Sequence, residues 1–207
     1  MTDLLTSSID VWDWRRRVTN LYGAVRSSEP QAGWWTWRNE RDRLFADHPQ
    51  SPLPVAERSD FTRIPYFDYS PAMRVLAEVT TAPEPTPFGL PHSGNGTTDA
   101  IAFGIAVFEI EGRQATLPIY RLLEYGDGFF LPFRDRTNGS ETYGGGRYLI
   151  DTVKGADLGF ESSRLVLDFN FAYHPSCVHS PMWSCPLAPP GSTLAVEIRA
   201  GERLVGT

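Results

Sequence analysis

The chain has 207 residues, 41% of them apolar and 13% aromatic, which is enough to bury one substantial core, and its two cysteines are too few for a disulfide framework. A formal net charge of −6 excludes a generally basic nucleic-acid-binding surface. The opening residues lack the basic segment and apolar run of a secretory signal and no apolar stretch reaches spanning length, so a cytoplasmic protein with no membrane partner is expected.

Residues 1–54 read as a helical segment and linker. After Ser7, Ser8 and Asp10 as cap candidates, Val11, Trp14, Val18, Leu21, Tyr22 and Val25 recur at helical spacing; Trp34, Trp37, Arg41, Leu44 and Phe45 form a second periodic set. Five of the six tryptophans lie between Trp12 and Trp37, as expected of helix faces that cover a core, with a partner-docking surface as the alternative. Arg15–Arg17, Arg38, Arg41 and Arg43 are expected on solvated faces. His48 to Pro54 reads as a stiff extended linker, because each proline biases its predecessor away from helix.

Residues 55–207 read as a β domain that forms one compact unit with the helices. Alternating or apolar runs at 74–79, 101–107, 114–123, 129–133, 147–153, 164–170 and 193–199 give about seven strands. The expected fold is mainly β (α+β): an antiparallel β-barrel or sandwich with the N-terminal helices packed on it. The Pro- and Gly-rich stretch 83–98 is expected to be a mobile lip.

Three groups could carry chemistry. In the connection after Phe133, Arg134 and Arg147 could present planar forks to an anion, with Thr137, Thr142, Tyr143 and the backbone of Gly144–Gly146 adding donors; the alternative is that the arginines pair with Asp135, Glu141 or Glu202 and brace the loop. Asp168, Asn170 and Tyr173 could line an interior polar face. Finally, His174, Cys177, His179 and Cys185 could hold zinc, or Cys177 and Cys185 could serve as a thiol pair in a hydrolase, against the alternative of two small buried thiols.

The runs Phe130-Leu131-Pro132-Phe133-Arg134-Asp135, Gly139 to Leu149, Asp168 to Cys177, Cys185 to Pro190 and Ala200-Gly201-Glu202 resemble an uncharacterised prokaryotic family, domain of unknown function 1684. The likeness extends upstream through His48 to Leu53 and Tyr66-Phe67, from about Trp34 onward. It implies a compact, mostly β single domain without an assigned activity. His174 stands where the family pattern carries asparagine and His179 has no fixed counterpart, which argues against a shared histidine-dependent site, whereas the two thiols fit the pattern.

These readings converge on a small anionic or polar ligand bound in a β-barrel pocket. Arg134 and Arg147 would hold it, Thr137, Thr142, Tyr143, Asn170 and Tyr173 would orient it, and Asp135, Glu141 or Asp168 would act as acid or base if a reaction is catalysed. No cofactor is expected, with zinc as the alternative; the expected partner is a small molecule, with a homodimer as an alternative assembly and no nucleic acid.

Overall fold

The computed structural model describes residues 3–123 and 126–205. Two helices precede an eight-stranded antiparallel sheet curled into a half-barrel. Helix α1 (Leu4–Arg26) begins earlier than its serines suggest, because Asp3 is the N-cap and accepts from Leu5 N at 3.4 Å. Helix α2 (Pro30–Asp47) starts with proline in its first turn, where the missing N–H costs nothing, and stops before His48-Pro49.

The strands are β1 (Arg74–Thr81), β2 (Pro87–Pro91), β3 (Thr97–Ile110), β4 (Arg113–Leu122), β5 (Phe129–Phe133), β6 (Arg147–Asp151), β7 (Phe160–Glu161) and β8 (Arg164–Asp168). The order across the sheet is β6-β5-β4-β3-β1-β8-β7, with β2 paired to β3. Part of the expected lip is therefore strand β2. Its prolines, Pro87 and Pro91, are tolerated because β3 is the only strand it pairs with among the described residues. A register shift between Ala102 and Gly104 lets even-numbered residues of β3 serve both faces: Ala100 packs with Tyr120 on the helix side, while Ala106, Phe108 and Ile110 pack with Leu117 and Ile119 on the other.

Two hydrophobic cores result. Val18, Leu21, Tyr22 and Val25 of α1 and Trp34, Trp37 and Leu44 of α2 pack with Phe130, Tyr148, Phe171 and Tyr173. Trp34 and Trp37 are thus core residues, whereas Trp12 and Trp35 remain exposed. The other core is closed by the C-terminal segment, which inserts Leu194, Val196, Ile198 and Ala200 between the sheet's inner side chains.

That segment corrects the sequence reading. Every second residue from Ser192 to Ala200 is buried, as a strand would require, yet 193–199 joins no ladder. Its backbone is held instead by Arg134 N donating to Ser192 O at 2.7 Å, Leu194 N to Arg134 O at 2.8 Å and Arg136 N to Val196 O at 3.0 Å, then by side chains. Alternation reports burial; it does not say whether the hydrogen-bond partner is a strand. No helix among the described residues is long and apolar enough to cross a membrane.

Candidate functional site

The connection between β5 and β6 is fastened from within. Arg147, fully buried, donates to the carbonyls of Ile198 at 2.8 Å, Ala200, and Glu202 at 3.1 Å, and to Asp135 Oδ2 at 2.9 Å. Asp135 also accepts from Thr137 N at 2.8 Å, Thr137 Oγ1 at 2.6 Å and Ile198 N at 3.2 Å, and Thr137 and Thr142 share a hydroxyl contact of 2.9 Å. Arg147 therefore takes the place of a neighbouring strand for the C-terminal segment. Of the two loop readings, bracing describes Arg147, Asp135, Thr137 and Thr142, whose hydrogen-bonding capacity is turned inward. Glu141 pairs at the surface with Arg199. Arg134 differs in being half-buried; the Nε atoms of Arg134 and Arg147 are both buried without a partner.

Asp168 and Asn170 form another local unit. The strand ends at Asp168, whose carboxylate caps the following one-turn 3-10 helix by accepting from Asn170 N at 3.0 Å and Nδ2 at 2.8 Å, and Asn170 reaches back to Ser70. Burial pushes the Asp168 carboxyl up to about 6, against the lowering effect of the Asn170 hydrogen bonds. Asp168 faces a cleft that also holds Arg26, Arg74 and Glu161, away from Tyr173.

Tyr173 instead belongs to a cavity of about 290 Å³ between the helices and the sheet. Trp14 and Tyr22 of α1, Phe45 of α2, Tyr148 of β6, Tyr173 and Trp183 give it aromatic walls. Arg41 and His174 supply its charged and polar atoms, and Arg15 and Lys154 contribute cationic side chains, Arg15 exposed and Lys154 paired with Asp151 at 3.0 Å. Two phenol oxygens in this wall, Tyr22 Oη and Tyr173 Oη, are buried without a hydrogen bond; the Trp37 indole N–H is directed toward Tyr22 Oη but falls short of one. Burial raises both phenols, so they stay protonated and able to donate.

Arg41 overturns the expectation of a solvated arginine. It sits in the buried stripe Trp34-Trp37-Arg41-Leu44-Phe45, pairs through Nε (3.1 Å) and Nη2 with Glu202 Oε1, and lies 5.0 Å from the Tyr173 ring centroid. Burial raises the Glu202 carboxyl, but Arg41 and the neighbouring histidines outweigh it and hold the group below its ordinary value. Glu202 also accepts from His174 N at 2.7 Å. His174 accepts from Tyr143 N through Nε2 at 3.2 Å, which places its proton on Nδ1, 3.8 Å from Glu202 Oε2. Burial lowers this imidazole to about 4, so it is neutral near pH 7. The periodic position of Arg41 and the Ala200-Gly201-Glu202 run were both visible in the sequence; that they pair across 161 residues was not.

The cysteines are free, Cys177 half-buried and Cys185 buried. The alternative zinc site does not assemble: His174 is engaged by Tyr143 and Glu202, His179 stacks edge-on against Phe45 at 5.0 Å, and no group of three metal-ligating side chains occurs among the described residues. Cys185 is tied through its backbone to Ser93, whose N donates to Cys185 O at 2.9 Å and whose Oγ accepts from Cys185 N at 3.1 Å.

A family model described as "Protein of unknown function (DUF1684)" matches residues 59–203. Among solved structures, the chain is similar to the solution NMR structure of an uncharacterized protein of Haloarcula marismortui, at 38% identity and a TM-score of 0.59, over 81% of this chain and 90% of that one. No curated protein matches.

Proposed function

We propose, since this chain belongs to the DUF1684 family of proteins of unknown function, that it binds a small ligand with an apolar body and an anionic or acceptor group in the cavity between the N-terminal helices and the sheet. The guanidinium beside the site is then Arg41 of α2 and not Arg147. The observation that carries the reading is Tyr173 Oη, a buried donor without a partner on the wall of an aromatic cavity. Leaving such a group unsatisfied costs roughly 1–3 kcal/mol, which a ligand acceptor would recover. An interior that is mostly apolar with a few placed polar groups is the common character of small-molecule pockets, and this volume suits a small ligand. The cationic side chains of Arg15 and Lys154 favour a negative over a positive end group.

A thermal-shift series of medium-chain fatty acids and aryl carboxylates tests this, since a ligand at 100 times its dissociation constant stabilises the fold by roughly 2.7 kcal/mol. Val11→Trp, which fills the cavity from α1, is expected to abolish the shift. Absence of a shift from every compound, or a shift that survives Val11→Trp, contradicts the assignment.

A further inference from the structure

We propose that the ligand of the aromatic cavity is two-ended, with an anionic head held at the rim by Arg15 and a neutral carbonyl on its apolar body that accepts from Tyr22 and Tyr173 at the floor. It rests on the reading that this cavity holds a small ligand, and it adds the ligand's chemical class and orientation. Burial gives the direction. Of the residues that line the cavity, Arg15 is exposed and Lys154 keeps 44% of its side chain in solvent, whereas Tyr22, Arg41 and Tyr173 are buried. The first two therefore stand at the mouth and the other three at the closed end.

The closed end is rich in donors and balanced in charge. Four buried donor atoms there have no hydrogen bond among the described residues: the phenol oxygens of Tyr22, Tyr66 and Tyr173 and the indole nitrogen of Trp37. They gather around Arg41, whose guanidinium lies 4.9 Å from the Trp37 ring centroid and 5.0 Å from that of Tyr173, while Trp37 meets Tyr66 edge-on at 5.5 Å. Tyr22 and Tyr173 are the ones that line the cavity. Arg41 itself is neutralised by Glu202, whose Oε1 accepts from both Nε and Nη2 and whose Oε2 accepts from His174 N at 2.7 Å. A carboxylate brought to this end would lie beside Glu202 without a cation of its own, and an uncompensated buried charge is among the most costly arrangements in a protein interior. A carbonyl oxygen carries no net charge and has two lone pairs, one for each phenol.

The rim has the opposite character. Lys154 is paired with Asp151 at 3.0 Å, and on α1 Arg16 and Arg17 are both engaged by Asp13. The Arg15 side chain has no hydrogen bond or ion pair among the described residues, so its charge is the one left at the mouth for an anion. Val11, Arg15, Val18 and Tyr22 follow one another at i, i+4, i+7 and i+11, which puts them along one wall of the cavity. Arg15 and Tyr22 are two helical turns apart, about 10 Å along the axis, and this sets the spacing between anion and carbonyl. Val18 lies between them on the same wall, so the intervening part of the ligand is apolar.

The test titrates the full chain by isothermal calorimetry at low salt with three probes: decanoate, decanoate carrying a keto group next to its terminal methyl, and the methyl ester of that keto acid. The keto acid is expected to bind about tenfold more tightly than decanoate, through the hydrogen bonds its carbonyl accepts, and about threefold more tightly than the ester, through the exposed pair with Arg15. Tyr22→Phe should cut the preference for the keto acid over decanoate by about threefold or more, and Arg15→Gln should bring the keto acid and its ester together. Decanoate binding as tightly as the keto acid, a keto preference unchanged in Tyr22→Phe, or an ester that binds the parent chain as tightly as the acid would overturn the proposal while leaving a ligand cavity in place. Failure of all three probes to bind would overturn the cavity reading and this inference with it. The comparison of probes on the parent chain needs no substitution, so a variant that fails to fold by circular dichroism does not affect the outcome.

Discussion

Arg41 and Arg147 are both buried guanidiniums, and their surroundings divide the labour between them. Arg147 spends its two Nη groups on three carbonyls and one carboxylate of its own chain, whereas Arg41 keeps a face toward an aromatic cavity. Removing Arg147 would strand Asp135 and the carbonyls of Ile198, Ala200 and Glu202 without water. Arg147→Ala is therefore expected to cost on the order of 3–5 kcal/mol in urea unfolding, and a loss under about 1 kcal/mol would refute the bracing role. Asp168 makes a second residue-scale prediction. Its folded-state pKa lies above the ordinary carboxylate value, so the native state favours the protonated form; the stability it contributes is full below about pH 4 and lost as pH rises through about 6. Asp168→Asn escapes that loss while keeping an acceptor for Asn170 N. Its stability relative to the parent chain should rise by roughly 2–3 kcal/mol between pH 4 and pH 7 in parallel urea titrations, since the His174 contribution is common to both chains and cancels. A flat difference across that window would show that the carboxyl is not desolvated as described.

Among the elements, the segment 191–202 separates what sequence can report from what it cannot. The run 193–199 reads as a strand, and its alternation matches the burial of Leu194, Val196 and Ile198, but the groups that replace a partner strand are the side chains of Arg147 and Asp135, more than 50 residues upstream of Ile198. Strand β2 was hidden because Pro87, Gly89 and Pro91 punctuate it as a turn, and only pairing with β3 makes it a strand. The periodicity of helix α2 is legible from Trp34 to Phe45, but Arg41 reads as solvated although it stands in the apolar stripe; the missing step is to ask what acid a buried arginine there must have. The acid, Glu202, is presented by Gly201, whose φ of +77° is left-handed and whose position leaves 2.4 Å between a Cβ and Ala172 O. Gly201→Ala should thus lower stability by about 2 kcal/mol or more by displacing Glu202 from Arg41, read as a fall in the thermal midpoint; an unchanged midpoint would mean that the turn relaxes freely.

At the scale of the whole molecule, the half-barrel fills one side with its own C-terminal chain and leaves the other to the helices. The cavity lies on that second side, where α1 and α2 meet Tyr148 and Tyr173. This explains why the site residues picked from the sequence disperse. The β5–β6 connection serves the first core, Asp168 caps the 3-10 turn that contains Asn170, and Tyr173 with His174 reaches the cavity. Contacts between the N-terminal helices and the last thirty-five residues created the cavity, and such long-range contacts leave no local pattern to read. The most direct measurement is a fluorescence titration, through Trp14 and Trp183 in the cavity wall, of the best carboxylate ligand against the parent chain and Tyr173→Phe. Loss of the phenol donor should weaken binding about tenfold with no change in fold; equal dissociation constants for the two chains would contradict the site.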